Sequence, residues 1–481
     1  MKFFSPEISL SFFILFLISQ LLPYYFLFCY KILTKQVTAM KTKPILSFLF
    51  IILSITACNT TEPPPPPDGE KPTLALALDD ASCTEAWLQL TTKDLELPAE
   101  LTLKQYNPTG DSLSKIFLLN TQDSLLYIDS LLPNQSYQYQ VSSIEHPATS
   151  NELNVTTMDT TSHDFTFQSW TFGTIGSSTL YDVAIINENN IWAVGEILIA
   201  DTSQNGYTTY NAVHWDGIQW ELMRIPFLFQ GDSFYSPIYA VFAFGANDIW
   251  FGIGNLIHWD GTKYWSIGIS SVFTSLVNKI WGSSSSDLYV VGNNGNIVHY
   301  NGTRWSRIES GTELNINDIW GDYNEKTGEW EILAVASNYG TGLEKQILLI
   351  IDNVVINIQT GSQMWPLLTT WFKPNRQYYV AGAGIYQKRL LMQGLWRNNA
   401  TDITTFATTS LRGNNINDVI GVGAFGDFVH FNGLNWKNDY QEPLLSNGSY
   451  TEVTVKADLV VAVGGNQISI NSEAVILVGR R

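Results

Sequence analysis

Read from Val277, the chain runs VNKIWGSSSSDLYVVGNNGNIVHYNGTRWSRI. Its apolar positions fall into four short runs, VNKIW, DLYVVG, NIVHYN and RWSRI. Gly282 with its serines, Asn293-Asn294-Gly295 and Asn301-Gly302 break them apart. Runs this short, rich in β-branched and aromatic residues and bounded by turn formers, predict strands. Asn-Gly and Asp-Gly tolerate the positive φ of tight hairpin turns, so the unit predicts a four-stranded antiparallel meander. The same order returns from 181 (YDVAI, NIWAVG, AVHWDGIQW) and from 239 (YAVFAFGANDIWFGIGNLIHWDGTKYW). A degenerate copy starts at 316 (INDIWGDY, EILAVA, ILLIIDNVV), and others start near 365 (QYYVAGAGIYQ) and at 416 (INDVIGVGAFGDFVHFNGLNW). The last, from Tyr450, stops after its third strand.

Tryptophans set the period. Trp220, Trp265, Trp305, Trp396 and Trp436 close repeats at spacings of 45, 40, 91 and 40, and the 91 is two repeats with one closing Trp missing. A period of about 44 is that of a four-stranded propeller blade. FTFQSWTFG (165–173) is an orphan strand ahead of the first blade, and it can supply the outer strand that the last blade lacks. That closes a ring of seven and removes two raw sheet edges. Four of six histidines (His214, His258, His299, His430) occupy one slot, before an aromatic and an Asp/Asn-Gly turn. A slot filled four times predicts architecture: a half-buried imidazole bonded to a turn backbone or to the Asp/Asn that opens the turn. Equivalent slots on separate blades are too far apart to share an ion with ligand distances of ~2 Å, so no metal is expected. The repeated tryptophans are expected as core and inter-blade filler.

Ahead of the repeats, residues 72–157 alternate at period two (TLALAL, AWLQLTT, ELTLKQY, SLLYIDS, SYQYQVSS, ELNVTT), which predicts a small β-sandwich. LLPNQSYQYQVSS (131–143) resembles the fibronectin type III signature. That resemblance implies a corner role for Tyr137 and a sandwich-core role for Trp87, in a module used as a spacer or for adhesion. The expected fold class is all-β, with a fibronectin type III-like sandwich over 72–158 and a seven-bladed β-propeller over 162–481.

The net charge of −18 argues against a nucleic-acid partner, which requires a basic stripe. Charged residues are only 15% and aromatics 13%, which suits an all-β chain. The apolar stretch 8–29 is long enough to span a bilayer. From Met40 a second leader begins, MKTKPILSFLFIILSITAC, with lysines ahead of an apolar run and small residues before Cys58. ITAC resembles the lipobox of bacterial lipoproteins. The resemblance implies cleavage before Cys58 and lipid attachment to its thiol, so that 40–57 is a signal peptide. Residues 1–39 are then either a misassigned start or an extra membrane helix. Pro-rich 58–71 reads as a stiff tether. Removing residues 1–57 takes away five lysines and one glutamate, which carries the net charge from −18 to −22. It also leaves Cys83 without a disulfide partner. Asn59 after the Cys leans, by the same resemblance, toward the outer membrane.

Candidate chemistry is sparse. No Gly-rich phosphate loop, Gly-x-Ser-x-Gly or His-Glu-x-x-His occurs. Asp79 and Asp80 are paired carboxylates, but consecutive strand residues are expected to face opposite ways. The His-Trp-Asp-Gly-x-x-Trp hairpin distantly resembles the Asp-box of sialidase-like propellers, one residue shorter between Asp and Gly. Arg224 in MRIP follows the first closing Trp instead of preceding the boxes, so sialidase chemistry is not expected. A nearer resemblance is to secreted bacterial propellers with D-I/L-W/Y-x-V-G…I-x-H-W-D/N-G-x-x-W repeats. We expect no catalytic set, no cofactor and no metal. The expected function is that of a non-enzymatic, lipid-anchored, monomeric envelope protein that binds a glycan or protein ligand on a propeller face. The alternative is a carbohydrate-active enzyme at the channel mouth. The candidate ligand residues are Asp182, Trp281, Asp318, Trp320 and Asp418, assigned to the first strands at the channel rim.

Overall fold

The computed structural model describes residues 71–145, 147–338, 343–361, 365–398, 403–439, 445, 447–468 and 471–481. Cys58, the leader and the tether lie outside the described residues. Glu70–Arg481 forms one compact unit, and its elements are strands.

Seven four-stranded antiparallel sheets, six of them in simple sequence order, make the propeller. The first six blades run over 179–223, 240–267, 277–309, 316–358, 367–398 and 408–438. The seventh takes three strands from 448–480, and its outermost strand is Thr166–Phe172. That strand pairs with Asn471–Arg480 in an unbroken register, Trp170 opposite Ile476. The ring is thus closed by the two ends of the repeat region, as its missing strand predicts.

Inner strands carry a recurring irregularity. In six of the seven blades the register slips near the start of the first strand: at Leu180/Asp182, Val277/Lys279, Ile316/Asp318, Leu367/Thr369, Thr408/Ser410 and Tyr450/Glu452. A bulge bends a strand and re-aims its side chains. Several bulged residues reach sideways to the next blade. Asn278 donates to the Ile316 carbonyl (3.0 Å), Asn317 to Leu367 (2.8 Å), Thr409 to Tyr450 (2.6 Å) and Thr451 to Leu180 (2.7 Å). Between blades, large aromatics nest against glycine. A Cβ on Gly321 would stand 2.3 Å from the Trp281 ring, so that position must stay bare for blades three and four to approach.

The sandwich has a three-stranded sheet (Thr73–Ala81, Ala86–Lys93, Asp123–Ile128) facing a second sheet built on Ala99–Tyr106 and Ser136–Ser143. Its core holds Leu88, Leu90, Leu101, Tyr139 and Val141. The Tyr137 hydroxyl accepts from the Leu132 amide at 2.9 Å and ties the strand to its turn. Trp87 departs from expectation. Ala86 and Leu88 point into the sandwich core, so period two sends Trp87 the other way. It is 2% exposed, beside Tyr127 and under the Arg376 guanidinium of blade five, 4.7 Å from the ring centre.

Asp79 and Asp80 also depart from expectation. The register slips between Leu78 and Asp80, so both carboxylates turn to one cation: Arg376 Nη2 lies 2.6 Å from Asp79 and Nε 2.5 Å from Asp80. Arg389 adds a bond to Glu85 at 2.6 Å, and Lys326 one to Asp79 at 2.9 Å. Cys83 is buried as a free thiol, against Gly433 of blade six. Aromatic, ionic and backbone contacts therefore dock the sandwich on the propeller, well beyond a bare covalent link.

Candidate functional site

The histidine slot resolves into a repeated box. On each second strand an Asp or Asn stands two residues before the residue opposite the histidine, and so shares its face. His258 faces Trp250 across the strands, and the two rings stack at 4.3 Å. Its Nε2 donates to Asp248 at 2.9 Å, and Trp250 Nε1 donates to the same oxygen at 3.1 Å. His214 repeats this with Trp192 and Asn190 (3.0 Å), and His299 with Tyr289 and Asp287 (2.7 Å). The partner is therefore the residue that opens the second strand, and not the Asp or Asn of the following turn. Those turn residues cap their own loops: Asp260 accepts from the Thr262 hydroxyl, from Trp265 Nε1 and from the Lys263 and Thr262 amides, and these four bonds pull its pKa down.

Asp418 belongs to this box series. It opens the second strand of blade six (Asp418–Gly423) and accepts from His430 Nε2 at 3.1 Å. The chain-end Arg481 adds two bonds, the Nη1 one at 2.8 Å. The first-strand assignment is corrected: INDVIG mimics INDIWG at 316, but the first strand of blade six is the unmarked Thr408–Asn415. Burial lowers the His430 pKa. His163, on the segment joining sandwich to propeller, stands 2.8 Å from His430, nitrogen to nitrogen.

Asp182 and Asp318 do sit on first strands, at the bulges, but they are 1% and 2% exposed. Instead of rimming an open channel they plug it. Lys279 bonds Asp182 at 2.7 Å and Glu452 at 3.0 Å. Arg412 clamps Asp318 with two bonds of 2.8 and 2.9 Å and reaches Glu452 at 3.2 Å. Thr369, Ser410 and the Val241 amide supply further donors. All seven blades contribute to this knot. Buried charges are tolerable only when paired and hydrogen-bonded, and here each one is. Two cations face three carboxylates, and Asp182 carries the imbalance: burial, chiefly, raises its pKa to about 6. The Arg412 charge holds Asp318 below its ordinary value against that same burial. Of the two predicted aromatics, Trp281 is 4% exposed and packed on Trp330 and Tyr289. Trp320 lies under Arg412, 5.4 Å from ring centre to guanidinium, with its Nε1 buried and unbonded among the described residues.

The open site lies elsewhere. A groove of about 930 Å³ runs between the outer parts of blades four and five. Lys345, Tyr386, Lys388, Met392, Leu395 and Trp396 line it, together with the amides and hydroxyl of Asn357, Gln359 and Thr360. Leu395 is 87% exposed. Lys388 is only 8% exposed, yet its ammonium bonds no acceptor among the described residues, and burial lowers its pKa. It lies 5.6 Å from the ring centre of Trp396, whose Nε1 is buried without a partner among the described residues.

No family model and no curated protein matches the chain. Among solved structures it is similar to YCF48 bound to D1 peptide, at 15% identity and a TM-score of 0.47, covering 66% of this chain and 95% of that one. It is also similar to YCF48 from Cyanidioschyzon merolae (12%, TM-score 0.46, 65% and 98%) and to the C-terminal WD40 domain of Sif2 (9%, TM-score 0.38, 64% and 97%). Likenesses at this level carry no argument about ligands. The chain's own sheets define its class: a seven-bladed β-propeller with a docked β-sandwich.

Proposed function

We propose that the chain is a non-enzymatic binding protein of the bacterial cell envelope, tethered through acylated Cys58, that takes a glycan or protein ligand into the groove between blades four and five. One contrast carries this reading. The charged side chains of the axis are bonded to one another, whereas the groove is open, lined with aromatic and apolar side chains, and holds donors with no partner among the described residues. A concave surface with a few unmatched polar groups is the ordinary form of a binding site. The tether rests on the ITAC leader and the proline run after it. We read the sandwich as a fibronectin type III-like spacer, supported by its strand order and the Tyr137 tie.

The test is a screen of the purified full-length chain on glycan and peptide arrays beside Leu395→Asp and Tyr386→Ala. A ligand held by the parent and lost by both variants is expected. A ligand held equally by all three moves the site away from the groove. For the tether, Cys58→Ser is expected to shift the protein from the detergent to the aqueous phase, and unchanged partitioning assigns the anchor to the upstream apolar stretch.

A further inference from the structure

Resting on that reading, we propose that the groove selects an acidic saccharide, with Lys388 and Lys345 receiving a uronate carboxylate while Trp396 and Tyr386 hold the sugar ring.

The charge pattern points to an anion. The chain has 44 Asp and Glu against 26 Lys and Arg, yet no carboxylate is among the described residues that line the groove, and two lysines are. Lys279 is paired with two carboxylates at the axis. Lys388 lines an open cavity and has no acceptor among the described residues, so its ammonium is available to a partner from outside the chain. A carboxylate arriving there gains a charge-assisted bond with no internal ion pair to break. Lys345 lines the same cavity and has no side-chain acceptor among the described residues.

The rest of the lining favours a sugar as carrier of that anion. Asn357, Gln359 and Thr360 offer side-chain amides and a hydroxyl, groups that both donate and accept and so match ring hydroxyls. Tyr386 and Trp396 supply flat apolar faces with a polar edge, and the Trp396 Nε1, with no acceptor among the described residues, is a donor for a ring oxygen.

Calorimetric titration of the full-length chain with a galacturonate tetramer, its methyl ester, a neutral galactose tetramer and hexaglutamate tests this. Binding of the acidic tetramer is expected, weakened about 10- to 100-fold by esterification or by Lys388→Met, and largely kept by Lys388→Arg. Melting each variant guards against misfolding: Lys388→Met is expected to melt close to the parent temperature, because it removes no ion pair among the described residues. Equal affinity for acidic and neutral tetramers overturns the anion assignment while leaving the groove a binding site. Hexaglutamate bound as tightly as the acidic sugar overturns the saccharide assignment. Retention of the acidic tetramer by both Lys388→Met and Leu395→Asp overturns the groove itself.

Discussion

The axis of the propeller and the groove between blades four and five both bury basic side chains, and they treat them in opposite ways. At the axis Lys279 and Arg412 meet three carboxylates from other blades, and each cation bonds two of them. In the groove Lys388 meets none among the described residues. The blades around the groove also depart from the repeat. Blade four lacks the closing tryptophan, and neither blade four nor blade five carries the box histidine. In blade five Gln387 stands in that slot, opposite Tyr379. The box lapses in the two blades that flank the groove, while their first strands still supply Asp318 and Thr369 to the axis.

The sharpest break of this contrast is Arg412→Met. It strands Asp318 and Glu452 as buried carboxylates, and removing one partner of a buried pair costs about 3–5 kcal/mol. Urea unfolding is expected to show that loss across the whole propeller, and a loss under ~1 kcal/mol would mean that the knot is slack. Next comes His299→Ala, which leaves Asp287 short of a donor and removes the ring stacked on Tyr289. The expected cost is about 1–3 kcal/mol, with groove binding unchanged. A chelator should not alter the melting of the parent or the variant; a chelator-dependent melt would turn the box from frame into metal site.

Acid separates two of the buried groups. The His430 pKa is lowered in the fold, so the folded state binds fewer protons than the unfolded chain, and stability falls as pH drops below the ordinary value of about 6.5. The Asp182 pKa is raised to about 6 from 3.8, so the folded state binds more protons between those values, and its contribution grows as pH falls through that window. Asp182→Asn is therefore expected to steepen acid destabilisation between pH 6 and pH 4, and His430→Gln to flatten it. Denaturation midpoints across that range check both. The smallest effect on stability is expected from Lys388→Met, a change of under ~1 kcal/mol.

Much of the frame was legible in the sequence because it repeats. The tryptophan period, the hairpin turns and the orphan strand gave seven blades and their closure. The histidine box was half legible: its architectural role follows from fourfold recurrence, but its acceptor depends on which side chains share a face across two strands. Arg412 was missed because TTSLRGNN bears no repeat marker, and Asp418 was misplaced because INDVIG copies a first-strand phrase. Bulges hid the convergence of Asp79 and Asp80, since one slipped residue cancels the alternation that the pattern assumes. The groove gave only a negative signal in the sequence, the lapse of the repeat between 316 and 398. Lys388 carries no mark there at all, because having no partner is a property of three dimensions.

The outer strand of the seventh blade has a consequence for how the chain reaches this state. Thr166–Phe172 emerges from synthesis roughly 300 residues before the strand it pairs with, and contacts so distant in sequence form late. The first six blades are meanders of local hairpins and can assemble in the order in which they emerge. The ring cannot be sealed until Asn471–Arg480 is free. A chain emerging N-terminus first from synthesis therefore has no closed propeller until its last strand is out, so the latch that stabilises the finished molecule also keeps it open until then.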